Sequence, residues 1–525
     1  MIDKVSAGFL NRRQAGKLLL GTAGLLMVPN ILRAQAAAPR EGGTLIISLL
    51  NTLPSLHTML RTTGNSWLIT PNLYNTLTTL TADGLVRPEL AESWEVNDAL
   101  TEWTFRLRKG VKFHSGAPLT SADVKATFDK LLDPVLVNKE ARNIGPIETV
   151  TALDDHTVLF KLSSPYAELH RQLAFSITKI IGVEAMDDFD ALDYKVAGTG
   201  PFILKSFTPN VEVVMERNPD YFLGPVLLER VIFRILPDAT SQVAALTNRE
   251  IDLIAEVTGD TYRRAKTIPG VEVLIAGGGT IYPVRMLRAE PPFDDIRVRR
   301  AFSLCMDRAG IVQALTDGTG TPGDDQPLSQ IYEFYSPGSG VPPFDLDEAR
   351  RLMKEAGYGG GASAVFRVTA EGADRRSQTE LMLAMAAEIG LHLEMEMMDS
   401  VVFNQLYYGK NNSNNIGWYG ARASADTMLT LMLHSKLGVN DTAWATPETD
   451  RMLDEARASG DPAFRGRIYA ELQQRLRDEV PMIIPAFYRK MAVHNDYVQA
   501  VPFAGNQWDM RFDKTWFTDQ APSRS

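Results

Sequence analysis

The chain has 525 residues, of which 45% are hydrophobic and 22% are charged, so it can form two or three globular domains with apolar cores. This composition excludes a disordered or fibrous protein. A formal net charge of -10 leaves no overall positive field for a nucleic-acid backbone, and the single cysteine, Cys305, excludes an internal disulfide and a cysteine-based zinc site.

Residues 1–36 have the three-part build of an export signal. Arg12-Arg13 precedes an apolar run over 18–32, and the small residues of Ala34-Gln35-Ala36 follow that run. The arginine pair favours twin-arginine export over general secretion. The run has 15 residues, fewer than the roughly 20 that cross a bilayer. Since no cysteine lies near the cleavage point, we expect a periplasmic protein without a lipid anchor or a membrane span.

In the first half of the chain, short apolar runs indicate strands. Residues 44–50 form an apolar run bounded by turn residues, which is typical of a buried strand. Residues 94–113 alternate between apolar and polar, with Trp103, Phe105 and Leu107 on one face. Further predicted elements are a helix over 120–132, opened by a Thr120-x-x-Asp123 capping box, and strands over 158–162 and 211–216.

The second half is richer in helical patterns. Residues 296–316 carry apolar side chains at helical spacing, and capping signals predict a helix over 345–356. Residues 364–370, 375–389 and 391–397 have the patterns of a strand, a helix and a strand. Such units build open α/β sheets, whose ligands bind beyond the carboxyl ends of the strands, often in a cleft between domains.

The sequence contains no signature of a common enzyme or cofactor site. The phosphate-binding loop, the H-E-x-x-H motif and the G-x-S-x-G motif are absent. Gly318, Gly320 and Gly323 match the letters of a dinucleotide-binding loop, but Pro322 interrupts it and no strand precedes it. Packing at a turn explains His114 better than metal binding does. We therefore predict a protein that is not an enzyme and has no cofactor and no metal.

The most specific signal is a set of motifs in a fixed order: residues 88–94 (PELAESW), 103–116 (WTFRLRKGVKFHSG), 198–202 (GTGPF), 217–222 (RNPDYF), 292–301 (PFDDIRVRRA) and 349–358 (ARRLMKEAGY). With these motifs the chain closely resembles the family 5 extracellular solute-binding proteins, the dipeptide, oligopeptide and nickel receptors of ABC importers. The resemblance implies an α/β periplasmic binding protein of the Venus-flytrap type, with two lobes and an extra subdomain in the first. It also implies a small-molecule ligand enclosed between the lobes.

The same resemblance implies domain boundaries and partners. The main sheet of lobe I is expected to comprise residues 37–72, 191–287 and 495–525, with the extra subdomain at 73–190 and lobe II at 288–494. The expected partner is an ABC transporter permease in the inner membrane, and we expect the receptor to be a monomer.

The stretch 416–422 (IGWYGAR) bears on the identity of the ligand. In peptide-binding members of the family, the matching stretch carries an aspartate that pairs with the ammonium group of the peptide, and Ala421 stands at that position here. Arg422 follows, and its fork of donors suits a carboxylate or a phosphate. Because a buried ammonium group needs a compensating carboxylate, this departure favours an anionic or polyhydroxy solute, opine-like or sugar-phosphate-like.

The other predicted ligand-binding residues are aromatic, charged or amide side chains on segments expected to face the cleft. They are Trp418, Tyr419 and Trp508 as stacking surfaces, Asp509 as a hydrogen-bond acceptor, Arg285 as a positive charge, and Asn65 and Trp67 from the first lobe.

Two kinds of alternative stay open. The chain could be an ordinary dipeptide, oligopeptide or nickel-chelate receptor, with Asp426 or Asp509 supplying the carboxylate for a peptide amine. From a different class, it could be a secreted hydrolase or a chaperone on the same fold. The absence of a nucleophile signature weighs against the hydrolase.

Overall fold

The computed structural model describes residues 39–60, 64–81, 84–136, 144–370, 372–440, 443–503 and 510–524. Strands occur in both halves of this part of the chain. They are β1 (Thr44–Leu49), β2 (Thr78–Leu80), β3 (Val86–Pro88), β4 (Ala91–Val96), β5 (Glu102–Leu107), β6 (Ile147–Asp154), β7 (Thr157–Leu162), β8 (Phe202–Thr208), β9 (Glu212–Arg217), β10 (Arg230–Ile235), β11 (Leu253–Ile254), β12 (Val271–Ile281), β13 (Val284–Arg285), β14 (Thr321–Pro322), β15 (Ala362–Thr369), β16 (Leu391–Met398), β17 (Asn414–Ile416), β18 (Met482–Ile483), β19 (Ala486–Asn495), β20 (Val498–Gln499) and β21 (Trp516–Phe517).

Helices are concentrated in the second half. They are α1 (Gly64–Ile69), α2 (Ser121–Leu131), α3 (Leu169–Gln172), α4 (Ala239–Thr247), α5 (Gly259–Ala265), α6 (Ile296–Leu304), α7 (Arg308–Thr316), α8 (Leu346–Glu355), α9 (Ala373–Ala387), α10 (Ser400–Leu406), α11 (Ala425–Leu433), α12 (Pro447–Arg457) and α13 (Pro462–Glu479). Short 3-10 helices lie at Thr70–Asn72, Ser176–Thr178, Val183–Ala185, Phe189–Asp193 and Phe512–Lys514.

The first large sheet has the strand order β12-β19-β11-β1-β10-β9-β8, and β14 pairs with β19. Its strand β1 runs parallel to β10 and to β11, and all six residues of β1 are buried. A continuous apolar run is required there because both faces of a parallel pair are covered. The strand predicted over 44–50 is therefore confirmed.

A smaller sheet has the order β4-β5-β7-β6. Strand β5 buries Trp103, Phe105 and Leu107 on one face, as the alternating pattern predicts. Helix α2 packs against β6. Its capping box is formed, because the backbone N–H of Thr120 donates to Asp123 Oδ2 at 2.8 Å. The small sheet shares one apolar core with the first large sheet and forms a subdomain of that part of the molecule.

The second large sheet has the order β16-β15-β17-β13-β18. Strand β15 runs parallel to β16, and α9 connects the two strands. This connection confirms the predicted strand, helix and strand unit. Helix α8 is also confirmed, because the side chain of Asp345 accepts a hydrogen bond from the backbone N–H of Glu348 at 2.9 Å.

The pattern of residues 296–316 suggests one helix, but the structure has two, α6 and α7. Asp307 caps α7 by accepting a hydrogen bond from the backbone N–H of Gly310 at 2.9 Å. Beside this cap, Arg308 Nη2 lies 2.8 Å from Oδ2 of Asp325, and both side chains are buried. A buried ion pair is stabilising only when its geometry is well defined. The cap and the ion pair therefore stabilise the end of α6 and the start of α7, which the apolar spacing does not reveal.

Two short crossovers join the large sheets. Strand β12 leads through Tyr282-Pro283 into β13, and β18 leads through Ile484-Pro485 into β19. We use lobe I for the part built on the first large sheet and lobe II for the part built on the second. The expected boundaries at 287/288 and 494/495 place β13 in lobe I and nearly all of β19 in lobe II. In the structure β13 pairs with strands of lobe II, and β19 pairs with strands of lobe I. We therefore propose the two crossovers as the boundaries. Of the described strands between them, only β14 pairs with the first large sheet.

Each lobe has an apolar core of its own. This arrangement confirms the predicted α/β fold with two lobes and an extra subdomain in the first. Within the ranges that the structure describes, no helix combines the length and the apolar character needed to cross a membrane.

Candidate functional site

Loops from both lobes meet at a cavity of about 350 Å³. Asn51 and Glu256 follow the parallel strands β1 and β11 of lobe I, and Asp374 and Trp418 follow the parallel strands β15 and β17 of lobe II. All four residues lie just beyond the carboxyl ends of strands, which is where open α/β sheets bind ligands. The volume lies at the lower end of the range for small-molecule pockets. The cavity therefore suits a compact solute.

Asp374 brings a poorly compensated negative charge to this cavity. It lies in the first turn of α9 and is half-buried. Burial raises the pKa of its carboxyl group to about 6, against the opposing effect of Arg263. Within the described ranges, no hydrogen bond and no ion pair reaches this carboxylate. A cationic group in the cavity would supply the missing partner.

Glu256 is the second carboxylate on the lining. Nδ2 of Asn51 donates a hydrogen bond to its Oε2 at 3.1 Å. Burial raises the pKa of Glu256, and the positive charge of Lys490 opposes this increase. Lys490 and Arg375 line the same cavity. The lining therefore offers charges of both signs.

Of the predicted site residues that the structure describes, Trp418 lines this cavity, where it is half-buried. Its neighbour Tyr419 is 1% exposed, and its backbone exchanges two hydrogen bonds with Ile281 at 2.9 and 3.0 Å. Arg285, also 1% exposed, donates from Nη1 to the phenol oxygen of Tyr419 at 3.2 Å. Tyr419 and Arg285 therefore form a buried pair outside the cavity lining.

Arg422 and Trp67 contact the same ring, that of Phe175. The guanidinium carbon of Arg422 lies 6.0 Å from the ring centre, and the Trp67 ring meets Phe175 edge-on with centroids 6.0 Å apart. The backbone N–H of Arg422 donates to the phenol oxygen of Tyr332 at 2.8 Å. The structure brings Arg422 and Trp67 together, but neither belongs to the cavity lining.

Asn65 contributes to the site indirectly. It is 1% exposed, and its Nδ2 donates hydrogen bonds to the backbone carbonyls of Asn51 and Thr52. These bonds hold the loop that follows β1, and Asn51 in that loop lines the cavity. The remaining two predicted residues, Trp508 and Asp509, lie outside the described residues.

Asn51, Glu256, Asp374 and Lys490 were not among the predicted site residues. Asn51 and Asp374 come shortly after β1 and β15, two strands that the sequence predicts, so the rule of strand ends could have identified both. Glu256 follows β11, which has only two residues and leaves little trace in the sequence. Lys490 lies within β19, where no local pattern marks it as lining a cavity.

Asp426, one alternative partner for a peptide amine, is not available to a ligand. It is 1% exposed, and it accepts hydrogen bonds from the phenols of Tyr166 and Tyr469, each at 3.2 Å. Arg457 Nε lies 3.4 Å from its Oδ2. These three partners satisfy the carboxylate within the protein.

A second hollow, of about 950 Å³, lies between the extra subdomain and lobe II. Residues 163–165, residues 435–437 and the polar face of α12 line it. Its lining includes no described residue that directly follows a parallel strand. The strand-end rule therefore favours the smaller cavity as the ligand site.

In the described ranges, no group of three or more histidine, cysteine, aspartate or glutamate side chains could hold a metal ion. His114 has the packing role predicted for it, with Nε2 3.0 Å from the carbonyl oxygen of Gly200 and a pKa lowered mainly by burial.

Known proteins resemble this chain in sequence and in fold. The profile of the bacterial extracellular solute-binding proteins, family 5 Middle, matches residues 86–439. Heme-binding protein A of Haemophilus influenzae is 27% identical over 431 residues, which cover 76% of this chain and 78% of that protein.

Two solved structures share the fold. The ABC transporter-associated periplasmic binding protein DppA from Helicobacter pylori, in complex with the peptide STSA, has a TM-score of 0.81 and 22% identity, over 91% of this chain and 98% of that chain. The binding protein AgaA from A. tumefaciens R10, in complex with agropinic acid, has a TM-score of 0.79 and 22% identity, over 91% and 99% of the two chains. Because the family profile matches more than half of the sequence, this chain belongs to the bacterial extracellular solute-binding proteins of family 5, the solute receptors of ABC importers.

Proposed function

We propose that this receptor captures a compact solute with both an ammonium and a carboxylate group, such as a di- or tripeptide or an opine, and delivers it to an ABC permease. The supporting observation is the mixed charge of the cavity at the strand ends, where Glu256 and Asp374 line the same space as Lys490 and Arg375. A solute with both an ammonium and a carboxylate group offers a complementary charge to each of these sets.

Proteins of the same fold provide precedents for both solute classes. The Helicobacter pylori protein was solved with a peptide, and the A. tumefaciens protein with agropinic acid. Ala421 stands where peptide-binding members of the family have an aspartate, which argues against a peptide. Asp374 and Glu256, however, supply carboxylates to the cavity from other positions.

An anionic or polyhydroxy solute without an amine, such as a sugar phosphate, is the second candidate. Lys490 and Arg375 on the lining favour it. Arg422, on which the sequence argument for such a solute depends, contacts Phe175 and does not line the cavity.

Capture in this proposal is a shift between open and closed arrangements of the lobes. Because the lining residues come from both lobes, a bound solute bridges them and favours the closed form by its differential affinity. No covalent step is required, so the receptor is not an enzyme. We place it in the periplasm as a monomer, exported by the twin-arginine route.

A thermal-shift screen of the purified protein tests this proposal. The screen contains di- and tripeptides, opines, sugar phosphates, heme and nickel–histidine, and each mixture is then analysed by mass spectrometry. A solute at a hundred times its dissociation constant adds about 2.7 kcal/mol to the unfolding free energy. We expect peptides or opines to stabilise the protein and to be recovered unchanged.

Two tryptophan variants locate the binding site. Trp418→Ala is expected to reduce the stabilisation by the bound solute, because Trp418 lines the cavity. Trp516→Ala, at a half-buried tryptophan on β21, is the matched control and is expected to leave it unchanged. Stabilisation by sugar phosphates alone would favour the second candidate, and conversion of a solute to a product would support the hydrolase alternative.

A further inference from the structure

Two carboxylates from opposite lobes lie within electrostatic range of one phenol in the cavity. Glu256 belongs to lobe I and Asp374 to lobe II, and both line the cavity with Tyr282. Burial is the main cause of the raised pKa of Tyr282, and the negative charges of Asp374 and Glu256 raise it further. The phenol therefore stays neutral and adds no charge to the cavity.

The protein compensates these two charges incompletely. In the described ranges no hydrogen bond or ion pair reaches Asp374, and Arg263 acts on it only through its field. Glu256 accepts hydrogen bonds from two neutral groups, the side-chain amide of Asn51 and the backbone N–H of Leu50. For both carboxylates, burial outweighs the favourable effect of the nearby basic group. Buried charges in native proteins normally have partners. Lys490 and Arg375 also line the cavity, but Lys490 and Arg263 offset the burial of the two carboxylates only in part, so a cationic group of the solute would complete their compensation.

We infer that Glu256 and Asp374 together form a subsite for a cationic amino group of the solute, with one carboxylate contributed by each lobe. This inference rests on the proposed function, because it needs the cavity to be the solute site. It adds a specific requirement: the solute must carry a free, protonated amine. It also explains how solute binding closes the lobes, since one ammonium group between the carboxylates attracts both.

Pairs of ligands that differ only at the amine test the inference. The probes are a panel of dipeptides with free amino termini and the same dipeptides acetylated at the amino nitrogen. Calorimetric titrations use the wild type, Asp374→Asn, Glu256→Gln and the control Asp347→Asn. Asp347 is a fully exposed carboxylate on α8 that takes no part in the cavity.

The expected result is a selective loss. In the wild type, acetylation should weaken binding at least about tenfold, because it removes a charge-assisted contact. Asp374→Asn and Glu256→Gln should each weaken binding of the free amine at least about tenfold and leave the acetylated dipeptide within about twofold. Asp347→Asn should change neither. The ratio of the two affinities does not depend on the fraction of folded protein, so a partly misfolded variant still gives a valid result.

The inference and the proposed function fail in different ways. Equal binding of free and acetylated dipeptides by the wild type, or an unchanged ratio in both cavity variants, would overturn the cationic subsite and leave solute capture intact. If no solute in the thermal-shift screen or the dipeptide panel bound the wild type, both the proposed solute class and the subsite would be wrong.

Discussion

Tyr166 of lobe I donates a hydrogen bond to Asp426 of lobe II, with 3.2 Å between the phenol oxygen and Oδ2. Asp426 also pairs with Arg457 of the same lobe, and nearby Glu168 of lobe I forms a buried ion pair with Arg465 of lobe II. These contacts join the extra subdomain to the helices α11 to α13. They connect the lobes at a place other than the cavity, so they influence closure without contacting the solute.

Tyr166→Phe is expected to lower the unfolding free energy by about 1.5 to 3 kcal/mol, the usual contribution of a hydrogen bond to a charged group. Because the lost bond crosses between the lobes, affinity for the solute should fall several-fold as well. Thermal unfolding and calorimetric titration measure the two effects. Tyr194→Phe, at a tyrosine that is 57% exposed, is the control and should change neither quantity. If Tyr166→Phe bound the solute with unchanged affinity, the hydrogen bond between Tyr166 and Asp426 would not contribute to closure of the lobes.

Arg457→Met should have a larger effect on stability. The substitution leaves Asp426 buried without its basic partner, which costs about 3 to 5 kcal/mol in comparable cases. Adding Asp426→Asn to Arg457→Met should restore part of the loss, because the uncompensated charge is then gone. Urea unfolding of both variants gives the values, with Arg451→Met, on the exposed side of α12, as the control. A loss no larger than that of the control would contradict a stabilising role for the ion pair.

Arg422→Ala should weaken binding of all solutes by the same factor, whatever their charge. Arg422 is buried and contacts Phe175 of the extra subdomain, and a desolvated cation–π contact contributes about 2 kcal/mol. Removal of the Arg422 side chain would weaken the contact between the lobes and would remove no contact with the solute. Titration with a free dipeptide, its acetylated form and a sugar phosphate measures this. Selective loss of the anionic solute would instead place Arg422 in the ligand site.

Asp374 should make the unfolding free energy fall as pH rises from about 4 to about 6. Its pKa is raised from 3.8 to about 6 in the folded protein, so the fold binds this proton more tightly than the unfolded chain does. The resulting stabilisation is fully present below pH 4 and is lost as pH rises through 6. A shift of this size corresponds to at most about 3 kcal/mol.

Asp374→Asn should remove most of this pH dependence. Of the groups around Asp374, Arg263 stays protonated throughout, and Tyr282 and Tyr488 stay neutral because burial raises their pKa values. Glu256, whose pKa burial also raises, contributes in the same direction and accounts for a residual slope. Urea unfolding of wild type and variant between pH 4 and 8 measures the difference. Parallel curves would contradict a raised pKa at Asp374.

Gly417→Ala should destabilise lobe II by displacing Arg285. A Cβ atom at Gly417 would lie 2.5 Å from Nη2 of Arg285, and Nη1 of the same guanidinium group donates to the buried Tyr419. Overpacking of this kind costs about 1 to 3 kcal/mol. Gly360→Ala is the matched control, because a Cβ there meets no atom within 4 Å. Thermal unfolding compares the two variants, and equal effects would show that Arg285 moves at little cost.

Local features of the fold could be predicted from the sequence because their causes are local. The apolar run of β1, the alternation of Trp103, Phe105 and Leu107, and the capping box at Thr120 each depend on a few adjacent residues. The break between α6 and α7 could not be predicted from apolar spacing. It depends on the ion pair of Arg308 with Asp325, and Asp325 lies beyond α7 in the sequence.

The candidate site was harder to predict because the two lobes build it together. Trp418 was identified through the family motif, and it lines the cavity. Asp374 and Glu256 are ordinary acidic residues in the sequence, and only the fold brings them to one cavity. The sequence favours an anionic ligand because Arg422 stands next to Ala421. In the structure Arg422 contacts Phe175 of the other lobe, and the sequence alone does not reveal that contact.

A crystal structure of the protein with the strongest ligand from the dipeptide and opine panels tests the central claim most directly. The account predicts that the solute occupies the cavity at the strand ends, with its amino nitrogen about 2.7 to 2.9 Å from a carboxylate oxygen of Asp374 and of Glu256. A solute bound in the hollow lined by residues 163–165 and α12, or one whose amine contacts neither carboxylate, would contradict it.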